Sequence, residues 1–528
     1  MEHLELVVFG LLAGTAALAV LANLINVPYP ITLVLGGVAI GLMPGMPSVE
    51  LDPDIVLLIF LPPLLYGAAF FTSLRDLRAN ARPIALLSIG VVLVTMFAVA
   101  AVAHAVIGLG WAESFVLGAI VSPTDAVAPA EILRRLGAPR RLLTIVEGEN
   151  LTNDWTALVL YSVAVAAVVS GTFSLGEASV RFVLSGVGGL AVGLAAGVVI
   201  RFVRSRIDDP PIEITISLLS GYAGYLPAEE LGFSGVIAAV TTGVYMGWHT
   251  PQLTTAVMRL QGVSVWEVLT FLLNAVLFLL VGLQLPSVLD AVDGYSAAEL
   301  LGWGALVSAV VIVVRLLWGF TVPYLIRALD RRPSQRERRS AASERLVVGW
   351  AGMRGSVSLA AALAIPLSID GGAPFPDRDL IILLALAVIL VTLVGQGLTL
   401  GPLINRLGIR DDGEEWREEV LARLRLAEAA IERLEEVAAE EWAREDTIER
   451  VRGMYDYRRR RFGAQTDGPS EDGAAYEERT GAYTRLMYDL FDAQRERLLE
   501  LRNRREISDE VRRKVERDLD LEESRMAP

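Results

Sequence analysis

Residues 147–161 read EGENLTNDWTALVLY and continue as SVAVAAVVS, a run apolar enough to cross a bilayer. The stretch holds Glu149, Asn150, Asn153 and Asp154. An ionised carboxylate at the centre of a bilayer costs about 2.5–3.5 kcal/mol on insertion scales, so such a group needs a partner or water and marks an ion pathway. On a helix Glu149 and Asn153 stand one turn apart, while the adjacent Asn153 and Asp154 diverge by about 100°. Those two neighbours therefore take different roles.

Three further stretches carry chemistry. SPTDAVAP (122–129) places Thr124 and Asp125 between Pro123 and Pro129. Each proline removes a backbone donor and disfavours helix at the residue before it. Either the helix simply kinks, or it breaks and frees carbonyls near Thr124 for a hard cation such as sodium. Irregular backbone at membrane depth needs protein or a wet cavity to satisfy it. Arg315 stands in SAVVIVVRLLWGF and needs an acid or water. Arg354 stands in VVGWAGMRGSVSLAAALAIP, where Gly349, Gly352 and Gly355 permit unwinding or ordinary close packing.

The elements that position these groups are membrane helices. Among 528 residues, 53% are hydrophobic and mean hydropathy is +0.49, a balance soluble domains rarely sustain. Thirteen apolar runs approach the roughly 20 residues a bilayer core requires. They lie near 4–25, 28–43, 54–72, 83–107, 112–132, 143–170, 178–203, 212–227, 232–248, 262–286, 297–326, 344–368 and 378–406. The opening MEHLELVV lacks a basic leader region, so the first run reads as a retained span. Arginines fall in alternate loops: Arg75, Arg78 and Arg82 after span 3, Arg134, Arg135, Arg140 and Arg141 after span 5, Arg201, Arg204 and Arg206 after span 7, Arg259 after span 9, and DRRPSQRERRSAASER after span 11. By the positive-inside rule the N-terminus lies outside and the C-terminal tail inside. The chain has no cysteine and three separated histidines, which excludes thiolate chemistry and argues against a His-rich metal site. Spans 5 and 12 are both interrupted, at corresponding places in the two halves. Such pairs point to an inverted-repeat transporter with a site near the midplane, although no clear sequence repeat links the halves.

SPTDAVAP, GENLTNDWTALVLY, GWAGMRGSVSLAAALAIP and LPPLLYGAAF of span 3 together closely resemble the monovalent cation:proton antiporters, the bacterial NhaP-like sodium/proton exchangers. The resemblance covers residues 1–410. It implies an all-α polytopic fold of about thirteen spans with crossed, discontinuous helices 5 and 12. Spans 4–6 and 11–13 would form the ion-carrying core, and spans 1–3 and 7–10 a homodimerisation domain. It implies that Asp154 is the shared proton/cation carboxylate, that Thr124, Asp125 and Asn150 belong to the cation site, and that Asp154, Thr124 and Asn150 ligate transported Na⁺. Asn153 would be the neutral partner associated with electroneutral one-for-one exchange. Glu149 would pair with Arg315, and Arg354 would sit near the span 12 break. No cofactor is implied beyond the transported Na⁺ and H⁺. Two departures bear on the cation shell. Some relatives carry an acid in the span 3 segment where this chain has Tyr66-Gly67-Ala68, and some carry Ser where it has Asn150.

The expected activity is exchange of Na⁺, with Li⁺ in the same class, for H⁺ across the bacterial cytoplasmic membrane. Potassium/proton exchange is the alternative. An intramembrane aspartyl protease would need Tyr-Asp and Gly-x-Gly-Asp contexts, and neither occurs. A passive channel would need a filter loop, and none is visible. Residues 411–528 hold 33 acids and 23 bases and read as a soluble helical tail that binds a regulator or self-associates. In it, residues 414–461 read as one amphipathic helix, with Leu424, Ala427, Ile431, Leu434 and Ala438 at 3–4 spacing. Residues 463–474 read as a linker, Leu486, Leu490 and Leu498 as a second helix, and Ser508 as the cap of a third. The lipid bilayer is the principal partner; nucleic acid is not expected.

Overall fold

The computed structural model describes residues 2–43, 53–172, 174–292, 294–329, 341–466 and 471–524. The loop at 44–52, most of the basic loop at 330–340 and the centre of the expected linker at 467–470 lie outside the described residues. Two compact units result, Met1–Asp411 and Asp412–Pro528.

The first unit is all helix apart from loops. In chain order it holds α1 (Glu2–Ile25), α2 (Tyr29–Gly41), α3 (Pro53–Phe71), the short α4 (Leu74–Ala79), α5 (Ala81–Ile107), α6 (Trp111–Val121), α7 (Val127–Arg135) and α8 (Arg140–Ser170). It continues with α9 (Leu175–Arg204), α10 (Pro210–Glu230), α11 (Gly235–Leu253), α12 (Ala256–Ala291), α13 (Ala297–Leu329), α14 (Ala342–Trp350), α15 (Ser356–Leu363) and α16 (Arg378–Leu407). Every apolar run in the sequence is helical. Spans 5 and 12 are helix pairs, α6/α7 and α14/α15, separated by breaks at residues 122–126 and 351–355. Among the described residues, six helices are long and apolar enough to cross a membrane by length and composition, and Tyr29–Gly41 and Trp111–Val121 are among shorter apolar ones.

Local chemistry sets the ends. Asp209, Ser234 and Thr255 cap α10, α11 and α12 by accepting from Ile212, Ile237 and Met258 N–H groups. Gly171, at φ 67°, ends α8 in a left-handed turn open to residues without a Cβ. The proline expectation needs correction at one position. Pro123 sits in the span 5 break, but Pro129 lies within α7, at its third residue, and Ala128 before it is helical. First-turn N–H groups have no intrahelical acceptor, so proline is tolerated there.

Leu380, Ile381, Ile382, Leu384, Ala385, Leu386, Val388 and Ile389 of α16 are all buried, so this helix is enclosed on nearly every side. On α9, by contrast, Val180, Val183, Leu184, Val187, Val198, Val199 and Phe202 are exposed. An apolar face this extensive is stable against lipid rather than water.

The second unit holds α17 (Glu414–Val437), α18 (Glu445–Thr466), α19 (Glu471–Asn503) and α20 (Asp509–Ser524). Two expectations fail here. The stretch 414–461 is not one helix: it turns at 438–444, and Ala438 is exposed at that turn. The residues expected as linker are helical on both sides, through Thr466 and from Glu471. The Val420, Leu424, Ala427, Ile431, Leu434 seam is satisfied within the chain, with the Arg423 guanidinium over the Phe462 ring of α18 at 5.8 Å. Ser508 caps α20, accepting from Val511 N–H at 3.2 Å. Leu498 is buried, whereas Leu486 and Leu490 are exposed.

Candidate functional site

The two helix breaks meet. Asp125 N–H donates to Met353 O at 2.8 Å, and the Asp125 carboxylate accepts from Val127 N–H at 2.8 Å and Ser356 N–H at 3.3 Å. This carboxylate therefore ties the α6/α7 break to the start of α15. Gly355 makes the approach possible: a Cβ there would stand 1.8 Å from Asp125 Oδ2. Gly355→Ala is expected to force the carboxylate off Ser356, lowering stability by about 1–3 kcal/mol as overpacking does, and to cut transport more deeply than that loss explains. Melting temperature and flux on the same preparation check this; wild-type values for both would show that the breaks do not need the contact.

Arg354 fills the other side of the junction and is fully buried. Its Nε donates to Val121 O at 3.0 Å and Nη2 to Ser122 O at 3.5 Å, while Nη1 donates to Gly352 O. Its own N–H donates to Thr392 Oγ1 at 3.1 Å. Val121 is the last residue of α6, so the guanidinium sits on the carbonyl end of a half-helix, where cations are favoured.

One turn away, Glu149 and Arg315 form a bidentate pair, Nη1–Oε1 at 2.5 Å and Nη2–Oε2 at 2.8 Å, both side chains 2% exposed. Arg315 also donates to Val348 O at 3.1 Å. Thr124 Oγ1 donates to Glu149 Oε1 at 3.1 Å and accepts from Asn153 Nδ2 at 2.8 Å; the same amide donates to Thr124 O at 3.2 Å. Asn153 thus faces the break and links α8 to it. Thr124 lies within a hydrogen-bonded chain running Arg315, Glu149, Thr124, Asn153.

Asp154 points elsewhere. It is 2% exposed, lines a cleft of about 700 Å³, and is hydrogen-bonded to none of the described residues. Thr124, Asp125 and Asn150 line the same cleft. The structure therefore brings Asp154, Asp125, Thr124 and Asn150 to one cavity and directs Asn153, Glu149, Arg315 and Arg354 into the packing behind it. Arg134, Glu147 and Thr72 also line the cleft, on the side of the arginine-bearing loops. α3 and α12 line the cleft as well, with Gly67, Trp266, Thr270 and Asn274.

Sequence reasoning did not single out Thr392, a lone hydroxyl in an apolar run, nor Asn274, a lone amide in FLLNAVLFLL. Isolation of a polar residue in an apolar helix was the available signal.

Buried ion pairs and two helix breaks joined beside a cavity, set among apolar helices, define a polytopic membrane transporter. The sodium/hydrogen exchanger transmembrane family profile matches residues 10–406, and the chain belongs to that family. It is 38% identical over 523 residues to an uncharacterised Na⁺/H⁺ exchanger of Mycobacterium tuberculosis, covering 98% of this chain and 95% of that one. A sodium, potassium, lithium and rubidium/H⁺ antiporter of Bacillus pumilus is 32% identical over 394 residues, 72% of this chain and 58% of that one. Among solved structures, the sodium proton antiporter MjNhaP1 of Methanocaldococcus jannaschii shares the fold, with TM-score 0.59 and 20% identity over 77% of this chain and 99% of that one. The protein is a multi-pass membrane transporter of cations and protons, with an all-helical NhaP-like fold, rather than an enzyme.

Proposed function

We propose that the chain exchanges one Na⁺ for one H⁺, with Asp154 binding either ion in turn. The observation that carries this reading is the division of labour along α8. Asn153 and Glu149 are consumed by structural hydrogen bonds, whereas the buried Asp154 carboxylate faces the cleft. A carboxylate removed from water is costly while charged and empty. With a proton or a monovalent cation bound it is neutral and can cross, and that asymmetry couples the two fluxes. Asp125 and Asn150 complete the oxygen shell, with Thr124 holding the break in shape. The neutral Asn153 and the internally balanced Glu149–Arg315 pair add no charge to the cycle, which supports electroneutral exchange.

In this reading thirteen helical spans cross the membrane, N-terminus outside and tail inside. The discontinuous spans 5 and 12 cross within an inverted repeat. Spans 4–6 and 11–13 carry the ion against a homodimeric scaffold of spans 1–3 and 7–10, and the cleft beside Arg134 and Glu147 opens to the cytosol. The tail beyond residue 410 regulates exchange or self-associates. Potassium/proton exchange is the second reading, favoured by the absence of an acid at Gly67 and by the cation range in the name of the Bacillus relative.

Proton flux in proteoliposomes, recorded with Na⁺, Li⁺ and K⁺ in turn, tests the reading. Na⁺ and Li⁺ are expected to collapse a pH gradient, and the rate is expected to ignore an imposed membrane potential. A response to none of the three cations refutes antiport. Asn153→Asp is expected to make the rate potential-dependent; a wild-type rate that already follows the potential refutes electroneutrality.

A further inference from the structure

Span 10 carries a second polar feature that the carboxylate mechanism does not use. Along α12, Glu267, Thr270 and Asn274 stand at i, i+3 and i+7, which places them on one face. All three line the same cleft as Asp154 and Asp125, from a different helix. Their surroundings on the helix are apolar, and Leu277 continues the lining one turn further. Asn274 is only 5% exposed, yet neither its amide nor the Thr270 hydroxyl is hydrogen-bonded to any described residue. The amide opens on the cleft, where water or an incoming cation can reach it. Two other polar groups of the cleft have partners: Asp125 with two backbone N–H groups, Thr124 with Glu149 and Asn153. Glu267, by contrast, is exposed, about 10 Å from Asn274 along the helix axis at 1.5 Å per residue.

We propose that Glu267, Thr270 and Asn274 form an oxygen ladder for a monovalent cation in the cleft that Asp154 also lines, with the Asn274 amide oxygen the ligand that completes the cation shell. The ladder rests on the antiport reading above and adds to it ligands from a second helix. Glu267 attracts the hydrated cation at the mouth. Thr270 and Asn274 then replace lost water with neutral oxygens, while the carboxylate that neutralises the charge stays on α8. Neutral carbonyl and hydroxyl oxygens suit a hard alkali ion, and an amide adds no charge, so the ladder leaves the stoichiometry of exchange unchanged. Because these ligands lie on a different helix from Asp154, they set which cation is held rather than whether a proton can replace it.

The test uses the full chain in proteoliposomes. Asn274→Leu, close in volume, is expected to raise the half-saturating Na⁺ concentration at least about tenfold, with a smaller fall in maximal rate, and to change the Na⁺:Li⁺:K⁺ preference. Asn274→Gln, which keeps the amide, is expected to recover part of the loss. Glu267→Gln is expected to raise half-saturation about threefold at low ionic strength, with the difference vanishing in high choline chloride, as screening requires. Ser264→Ala, an exposed position on α12 that is not among the residues lining the cleft, serves as the control. Thermal unfolding in detergent reads binding without transport: Na⁺ is expected to raise the melting temperature of wild type and to raise that of Asn274→Leu much less. Half-saturation and cation preference within twofold of wild type in Asn274→Leu overturn the proposal. If wild type exchanges cations and Asp154→Asn does not, that failure belongs to the ladder alone; if wild type exchanges none of the three cations, both readings fall.

Discussion

Vesicles containing Asp154→Asn are expected to show no cation-driven proton flux, a loss of at least about 100-fold, or ~2.7 kcal/mol at the rate-limiting barrier. The substitution keeps side-chain size and removes the buried carboxylate proposed to trade a proton for a cation. Because Asp154 is hydrogen-bonded to none of the described residues, its replacement strands no protein partner. Yield, gel-filtration profile and melting temperature are therefore expected to match wild type, which separates a lost carrier from a lost fold. Exchange above about a tenth of the wild-type rate would remove Asp154 from this role and pass it to Asp125, the carboxylate of the span 5 break that lines the same cleft.

The second large effect is on stability. Glu149→Leu is expected to destabilise the membrane unit by about 3–5 kcal/mol, because the deletion leaves the buried Arg315 guanidinium without its counter-charge. It also removes the acceptor of the Thr124 hydroxyl, so the damage reaches the span 5 break. Arg315→Met is expected to cost a similar amount for the mirrored reason. The double variant Glu149→Leu/Arg315→Met is expected to recover much of the loss, since neither charge is then stranded. A double-variant cycle on detergent-solubilised protein measures the coupling. Strict additivity of the two single losses would show that the pair contributes no mutual stabilisation. Gly352 explains why the pair tolerates so little rearrangement: a Cβ there would lie 2.2 Å from Arg315 Cδ and Nε.

Much of this is legible in the sequence, for reasons that differ along the chain. Apolar runs are long-range signals, and each became helix. Pro123 and Asp125 marked the span 5 break because a missing N–H and a costly charge coincide there. Pro129 misled because its effect depends on the position of the helix start, which a one-dimensional reading places only within a few residues. In the tail, the 3–4 spacing of Leu424, Ala427, Ile431 and Leu434 correctly marked a buried seam, but periodicity alone could not reveal that the chain turns back at 438–444. Within the site, the types and depths of Glu149, Asn153 and Asp154 were readable. Their orientations were not, since which of two adjacent side chains faces a cavity depends on the rotation of α8 against its neighbours. Thr124 shows the limit best: its oxygen reads as a ligand in sequence, and its hydroxyl is engaged by Glu149 and Asn153 in space. Asn274 escaped notice because it belongs to no motif and acquires meaning only through the cleft it lines.

Gly67 packs beneath the Trp266 indole, where a Cβ would stand 3.0 Å from the ring, and the indole N–H is held by Ser217 Oγ at 3.1 Å. This contact makes substitution order matter in any lineage that changes the cation shell from this side. A carboxylate at position 67 that arrives first has to press aside, by a few tenths of an ångström, an anchored tryptophan that also packs 5.5 Å from the Tyr66 ring. A smaller residue at 266 relieves that contact, but arriving first it carries the packing loss with no new ligand in return. Descendants of this sequence are therefore expected to vary together at 67 and 266 or at neither, and a covarying pair of this kind can be sought in close relatives by sequencing alone.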